Sequence, residues 1–238
     1  MTQWTMAIDV DRCTGCEACV VACREENNVP VAGPESSARG RTTEWLRIER
    51  FLEGTFPDVR MVFKPVLCVH CDDAPCVKVC PVSATYETPS GLNAQIHPRC
   101  IGTRACAQAC PYTVRFFNWS EPSWDAPLEQ TINPDVAVRW RGIMEKCTFC
   151  LQRIRRVEDR AKEEQRGVID GEVDPACAQS CPTRAITFGD LDERDSRVAE
   201  LFRSPRAELP MEDLGTGPRV VYLKQGEWRG SVRARSED

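Results

Sequence analysis

The sequence predicts a small α+β fold of two nested units built around metal-binding loops, with an added β-hairpin and extended loops. Three observations predict it. The chain has fifteen cysteines in 238 residues. They fall into four groups that each close with the same three-residue gap. Between the first two groups, two alternating segments flank a turn.

Thiols this dense serve either as disulfides in a secreted scaffold or as ligands to metal. The odd count argues against complete internal disulfide pairing. A composition of 28% charged and 42% hydrophobic residues is that of a globular chain. No run approaches the roughly 18 apolar residues of a membrane span, and the stretch before Cys13 leaves no room for a signal peptide's apolar region. The expectation is a chain neither inserted in a membrane nor exported by its own signal. The formal net charge of -5, with both signs interspersed, gives no sign of a nucleic-acid surface and favours a small-molecule or protein partner.

The first cysteine group is Cys13, Cys16, Cys19 and Cys23, and the second is Cys68, Cys71, Cys76 and Cys80. The third, Cys100, Cys106 and Cys110, keeps the register of the first, but Thr103 stands where its second thiol belongs. The fourth is Cys147 and Cys150 with Cys177 and Cys181. Proline follows the last thiol in three groups, at Pro81, Pro111 and Pro182, whereas Arg24 follows Cys23. The pattern C-x2-C-x2-C-x3-C-P is that of bacterial ferredoxins, in which three close thiolates wrap one cluster and the fourth ligates the other. A tight loop turns three sulfurs and several backbone N–H groups toward one anionic cube, and the fourth thiol is expected at the start of a helix pointing back. Zinc is the structural rival, since C-x2-C pairs also build zinc knuckles, but zinc rarely uses interleaved triplets.

Applied to the most compact stretch, the two-cluster rule gives the pairing. Cys68, Cys71, Cys76 and Cys110 form one set (C), and Cys100, Cys106 and Cys80 form another (D), with Thr103 at a vacant corner. By the same nesting, Cys13, Cys16, Cys19 and Cys181 form set A, and Cys147, Cys150, Cys177 and Cys23 form set B. Residues 68–110 are then an inner ferredoxin-like unit, and 1–67 with 111–238 an outer one that carries the hairpin and a C-terminal extension. Sets A, B and C call for three 4Fe-4S clusters. At set D a hydroxyl or water would complete a cube poorly, so the reading there is one 3Fe-4S cluster, a more oxidising centre.

Between the groups, Glu17 to Asn27 reads as a short helix and residues 30–43 as a loop. Glu44 to Phe51 and Val59 to Lys64 read as strands of a hairpin. Ser120 to Asp135 is an irregular, proline-marked excursion that covers a neighbour. Cys150 to Arg166 is a charged helix with a solvated face, Arg219 to Lys224 a strand, and the chain from Arg233 a mobile polar tail. His70 and His97 read as hydrogen-bonding or packed rings rather than ligands. Arg12, Lys78, Arg99, Arg104, Lys146 and Arg184 flank cysteines and read mostly as a solvent rim. Trp45, Trp119 and Trp140 read as packing between the two halves. The sequence offers no nucleophile-base pair and no nucleotide loop, which points away from a catalytic residue of its own.

From CTGCEACVVACREENNVP to RAITFGDL, the chain resembles the four-cluster iron-sulfur subunits of the complex iron-sulfur molybdoenzyme superfamily. RGRTTEWLRIERF at 39–51, CIGTRACAQACPYTVRFFNW at 100–119, NPDVAVRWRGIMEKCTFC at 133–150 and GPRVVYL near the end most resemble the iron-sulfur part of alternative complex III and the related membrane quinone reductase complex. Thr103 is the sharpest of these features. The resemblance implies the same cluster pairing and a non-catalytic relay of electrons. Its partners would be a large molybdopterin-type oxidoreductase subunit, an integral membrane quinone-binding subunit and cytochrome c subunits. Set A would lie at the large-subunit end and set D nearest the membrane. It further implies peripheral membrane association through partners, with co-export to the extracytoplasmic face preferred over the cytoplasmic face. A soluble polyferredoxin carrier is the alternative.

Overall fold

The computed structural model describes residues 2–224; the tail expected from Arg233 lies outside them. Along the chain run β1 (Trp4–Asp9), α1 (Ala18–Glu26), α2 (Pro34–Ala38), β2 (Leu46–Thr55), β3 (Asp58–Leu67), α3 (Pro75–Lys78), β4 (Thr85–Glu87) and β5 (Asn93–Gln95). Then come α4 (Ala105–Gln108), β6 (Phe116–Phe117), β7 (Met144–Glu145), α5 (Leu151–Glu163), α6 (Ala176–Gln179), β8 (Ile186–Asp190), α7 (Arg197–Phe202), β9 (Ala207–Glu208) and β10 (Val220–Leu223).

Proline decides how long the helices beside the cysteines grow. Three of them, α3, α4 and α6, are four residues long and stop two residues before a Cys-Pro pair. Proline disfavours helical backbone in the residue before it, so the chain must turn there. Arg24 imposes no such stop after Cys23, and α1 runs on for nine residues to Glu26. This departure from the repeated motif thus gives a longer helix that carries Cys19 and Cys23 on its buried side.

The largest sheet has four strands in the order β8-β1-β10-β9. β1 pairs parallel with β10 and antiparallel with β8. Side chains alternate across a strand, and in β1 both faces are covered. Trp4, Met6 and Ile8 enter the main core with Phe149, Phe188, Val220 and Tyr222, while Ala7 and Val221 pack on Val198 of α7. The small Ala7 gives α7 the room to approach.

β2 and β3 form an antiparallel pair in register from Leu46↔Leu67 to Thr55↔Asp58. Its root is buried at Leu46, Val66 and Leu67, and its tip projects, with Leu52 and Phe56 exposed. Residues 30–43 are not wholly a loop: Gly33 precedes Pro34, whose fixed φ suits the first helical position, and α2 follows. The excursion from Ser120 is tied down at its far end. The Asn28 side chain donates to Asn133 O (2.9 Å) and accepts from Asn133 N (2.8 Å), and Asn133 Nδ2 donates to Glu26 O at 2.9 Å. α5 buries Ile154 and Ala161, one i,i+7 stripe, and turns its charges outward. Trp45 is packed inside, whereas Trp119 and Trp140 are 38% and 44% exposed, so only the first serves as internal packing.

Candidate metal-cluster centre

The loops that carry the thiols share a backbone device. Gly15, His70, Gly102 and Phe149 precede the second position of their groups, and all four have positive φ. The turn this makes lets successive residues face one point. At Gly15 it also admits the Phe63 ring: a Cβ there would lie 2.3 Å from Phe63 Cδ1. At Gly102 a Cβ would lie 2.1 Å from Gly142 O. After each Cys-Pro, the third residue beyond the thiol (Ser83, Thr113, Arg184) again has positive φ. That turn aims an amide back at the sulfur. Ala84 N donates to Cys80 Sγ and Ala185 N to Cys181 Sγ, each at 3.2 Å.

Further donors reach other sulfurs. Met144 N donates to Cys100 Sγ at 3.4 Å and Phe149 N to Cys147 Sγ at 3.4 Å. Asn27 Nδ2 lies 3.7 Å from both Cys23 Sγ and Cys150 Sγ, and Asn93 Nδ2 lies 3.5 Å from Cys76 Sγ. All fifteen thiols are free of disulfides. Amides aimed at sulfur favour thiolate, so this donor set fits anionic iron-sulfur cubes.

Electrostatics reveals which thiols are neighbours. Burial pushes the Cys19 thiol up to about 12, and Cys13, Cys181 and Cys16 add like-charge repulsion. Burial likewise drives Cys177 well up, joined by Cys150, Cys23 and Cys147. Cys71 is pushed up to about 12 by burial and then by Cys68, with Cys76 and Cys110 behind it. Cys106 is raised by burial, and Cys76 and Cys100 add to it. Cys80 differs, because burial is outweighed by the amides of Thr85, Val82 and Ala84, and its thiol is lowered. Cys80 is joined to Cys106 through Arg115, whose charge acts on both.

Charge repulsion also runs between neighbouring groups. Cys19 acts on Cys23, Cys68 on Cys147, and Cys76 on Cys106. The first group thus adjoins the fourth through Cys19 and Cys23, the fourth adjoins the second through Cys147 and Cys68, and the second adjoins the third through Cys76 and Cys106. His70 stacks on Phe149 with ring centroids 3.9 Å apart, joining the Cys68 and Cys147 loops. Cys16 at one end is exposed, Cys23 and Cys177 in the middle are buried, and Thr103 at the other end is exposed.

The Thr103 loop copies the Cys16 loop. Gly15 and Glu17 have φ of 68° and 61°, and Gly102 and Arg104 have 69° and 61°. Residue for residue, 100–106 repeat the exposure pattern of 13–19.

Two buried cations were not legible as such. Arg12, Lys78, Arg99, Arg104 and Arg184 are exposed, but Lys146, read as part of the rim, is buried. Its Nζ donates to Asn93 O and, at 2.9 Å, to Cys147 O. These carbonyls replace the water a rim lysine would keep. Arg115 is likewise buried, and sequence reasoning missed it; a lone cation inside the apolar run Tyr112–Phe117 was the available signal. His70 is an acceptor for Asn93 N at 3.1 Å. Burial holds its ring well below the usual histidine range, with the charges of Lys146 and Arg115 adding to the effect. A third buried group, Arg139, pairs with Glu145 at 2.5 Å, and Trp45 Nε1 donates to the same carboxylate at 3.1 Å.

Cysteine-lined turns with sulfur-directed amides, succeeding one another through a small α+β core, define an iron-sulfur electron-transfer protein. Two models of a 4Fe-4S dicluster domain match residues 12–84 and 59–126. The menaquinone reductase iron-sulfur cluster-binding subunit of Nitratidesulfovibrio vulgaris is 42% identical, over 95% of this chain and 90% of the relative. A putative dimethyl sulfoxide reductase iron-sulfur subunit of Halobacterium salinarum is 37% identical, over 94% and 79%. The arsenate respiratory reductase iron-sulfur subunit of a Shewanella species is 34% identical, over 92% and 95%. The chain belongs to this family, the iron-sulfur electron-transfer subunits of the complex iron-sulfur molybdoenzyme superfamily.

Arg139→Met leaves the Glu145 carboxylate buried without its charge partner, and a loss of about 3–5 kcal/mol is expected. Chemical denaturation of the anaerobically prepared protein checks it, and the double variant Arg139→Met/Glu145→Leu is expected to recover most of the loss.

Proposed function

We propose that this chain relays electrons through three 4Fe-4S clusters at sets A, B and C and one 3Fe-4S cluster at set D. The relay runs between a molybdopterin-type large subunit and a quinone-reactive membrane subunit of a respiratory complex. The observation that carries this reading is the line of thiol groups, buried in the middle and open at Cys16 and Thr103. A relay needs insulated inner sites and accessible ends.

When bound, the clusters supply one-electron redox chemistry. The chain's own groups do the rest. Amides and Asn27 and Asn93 hold sulfurs in place, His70 and Phe149 fix two loops together, and no acid-base pair is required. The chain is on this reading not a catalyst. The inner unit at 68–110 nests within an outer unit of 1–67 and 111–238, to which the β2–β3 hairpin is added. Among the described residues no three His, Cys, Asp or Glu side chains are placed to hold a single metal ion. Ligands of a cube are necessarily spread more widely than those of one ion.

Thr103 carries the assignment of set D. It occupies a cysteine-loop backbone but offers a neutral hydroxyl in place of a thiolate. A centre with one fewer thiolate is less negative and more readily reduced, which suits electron exchange with a quinol. The relative from Nitratidesulfovibrio vulgaris is named for menaquinone, which supports a quinone as the partner's substrate; its place at the D end is part of the proposal. No helix among the described residues is long and apolar enough to cross a membrane; the proposed attachment is peripheral and through partners. The extracytoplasmic face, reached by co-export with a partner, is the proposed side, and cytochrome c subunits are further candidates for the complex. A free soluble carrier is not favoured, since the relatives are named as subunits of reductases.

Two experiments test this. Thr103→Cys is expected to convert the 3Fe centre to 4Fe and lower its potential; retention of the oxidised 3Fe spin-resonance signal contradicts the assignment. Tagged protein is expected to come from detergent-extracted membranes with a large oxidoreductase subunit and an integral membrane subunit. Recovery as a four-cluster monomer in the soluble fraction contradicts the relay role.

A further inference from the structure

Arg115 lies between Val114 and β6, and its side chain turns inward, leaving it 6% exposed. Nη2 donates to Thr85 Oγ1 at 2.7 Å and Asn93 Oδ1 at 2.9 Å, and Nη1 donates to Gln95 Oε1 at 3.3 Å. All three acceptors are neutral, and they belong to the β4–β5 pair. Nε is buried with no acceptor in bonding geometry. The negative groups that act on the guanidinium are the thiolates of Cys76, Cys68 and Cys106, the last also as a side-chain hydrogen-bond partner, and Cys80 lies within its field.

A buried guanidinium whose oxygen acceptors are all neutral is strongly unfavourable unless a counter-charge lies close by. Arginine cannot escape by losing its proton. Of the four thiolates within its field, two are assigned to set C (Cys68, Cys76) and two to set D (Cys80, Cys106).

We propose that Arg115 is the shared counter-cation of cluster sites C and D and sets the reduction potential of both. The proposal rests on the cluster reading above. A fixed positive charge favours the more negative, reduced state of a neighbouring cluster, which raises its potential. One fixed charge close to both sites shifts both potentials in the same direction. Thr85, Asn93 and Gln95 are positioning residues that keep the cation from swinging toward solvent. Asn93 has a second task at Cys76, through its Nδ2.

The test is a redox titration of the purified four-cluster protein followed by spin resonance. Arg115→Gln is expected to lower the potentials of the 3Fe centre and of one 4Fe centre. Each shift should be at least about tenfold in the reduction equilibrium, or about 59 mV for a one-electron couple. The other two 4Fe centres should stay in place. Arg115→Lys keeps the charge and should shift either equilibrium by less than about threefold. Gln95→Glu sets a carboxylate against the guanidinium, and it should lower the same two potentials even where Arg115→Gln does not assemble. Unmoved potentials in an assembled Arg115→Gln or Gln95→Glu protein overturn the proposal, as does an equal shift of all four centres. Fewer than four centres in the unaltered protein would instead defeat the cluster reading itself.

Discussion

Crowded sulfur is the constraint on which the structure depends. Buried thiols repel one another once ionised, and burial disfavours each thiolate independently. The structure meets this with directed donors: amides at Cys80, Cys100, Cys147 and Cys181, and side-chain amides at Cys23, Cys76 and Cys150. Such donors weaken the repulsion but do not remove it, since Cys19, Cys71 and Cys147 are still pushed up to about 12, chiefly by burial. Iron supplies the remaining positive charge, which is why cluster assembly and folding are one process in a protein of this kind.

The same constraint explains the placing of the cations. Exposed Arg12, Lys78, Arg99, Arg104 and Arg184 are screened by water and act weakly on anything inside. Lys146 and Arg115 have no such screening. The short β4–β5 pair presents Asn93 to both, through its backbone carbonyl to one and its side-chain oxygen to the other. A small strand pair thus organises the electrostatics beneath several thiol groups at once.

The parts of the fold legible in the sequence were those with a strong local cause. Cysteine spacing located the loops and helical pattern located α1 and α5, but the expected helix start at each fourth thiol is corrected: α3, α4 and α6 end before Cys80, Cys110 and Cys181, because proline follows each of those thiols. The four-stranded sheet was not foreseen beyond β10. Its members are short and come from the two ends of the chain, and periodicity over five or six residues distinguishes strand from helix poorly. α2 is not legible in the sequence because proline in a Gly- and Ser-rich stretch reads as a breaker, although at a first helical position it is a starter. Lys146 and Arg115 illustrate the remaining gap. Whether a cation faces water or thiolate depends on what distant β-strands bring to it, and neighbouring residues in sequence carry little of that information. Thr103 was legible because its neighbours repeat the first group's register, and the structure repeats that group's backbone as well.

Metal and sulfide analysis of protein prepared without oxygen tests the central claim most directly. Three cubes of four irons and one of three call for about fifteen irons and about sixteen acid-labile sulfides per chain, with little zinc. A colourless protein without labile sulfide, or one with zinc in place of iron, would contradict the account.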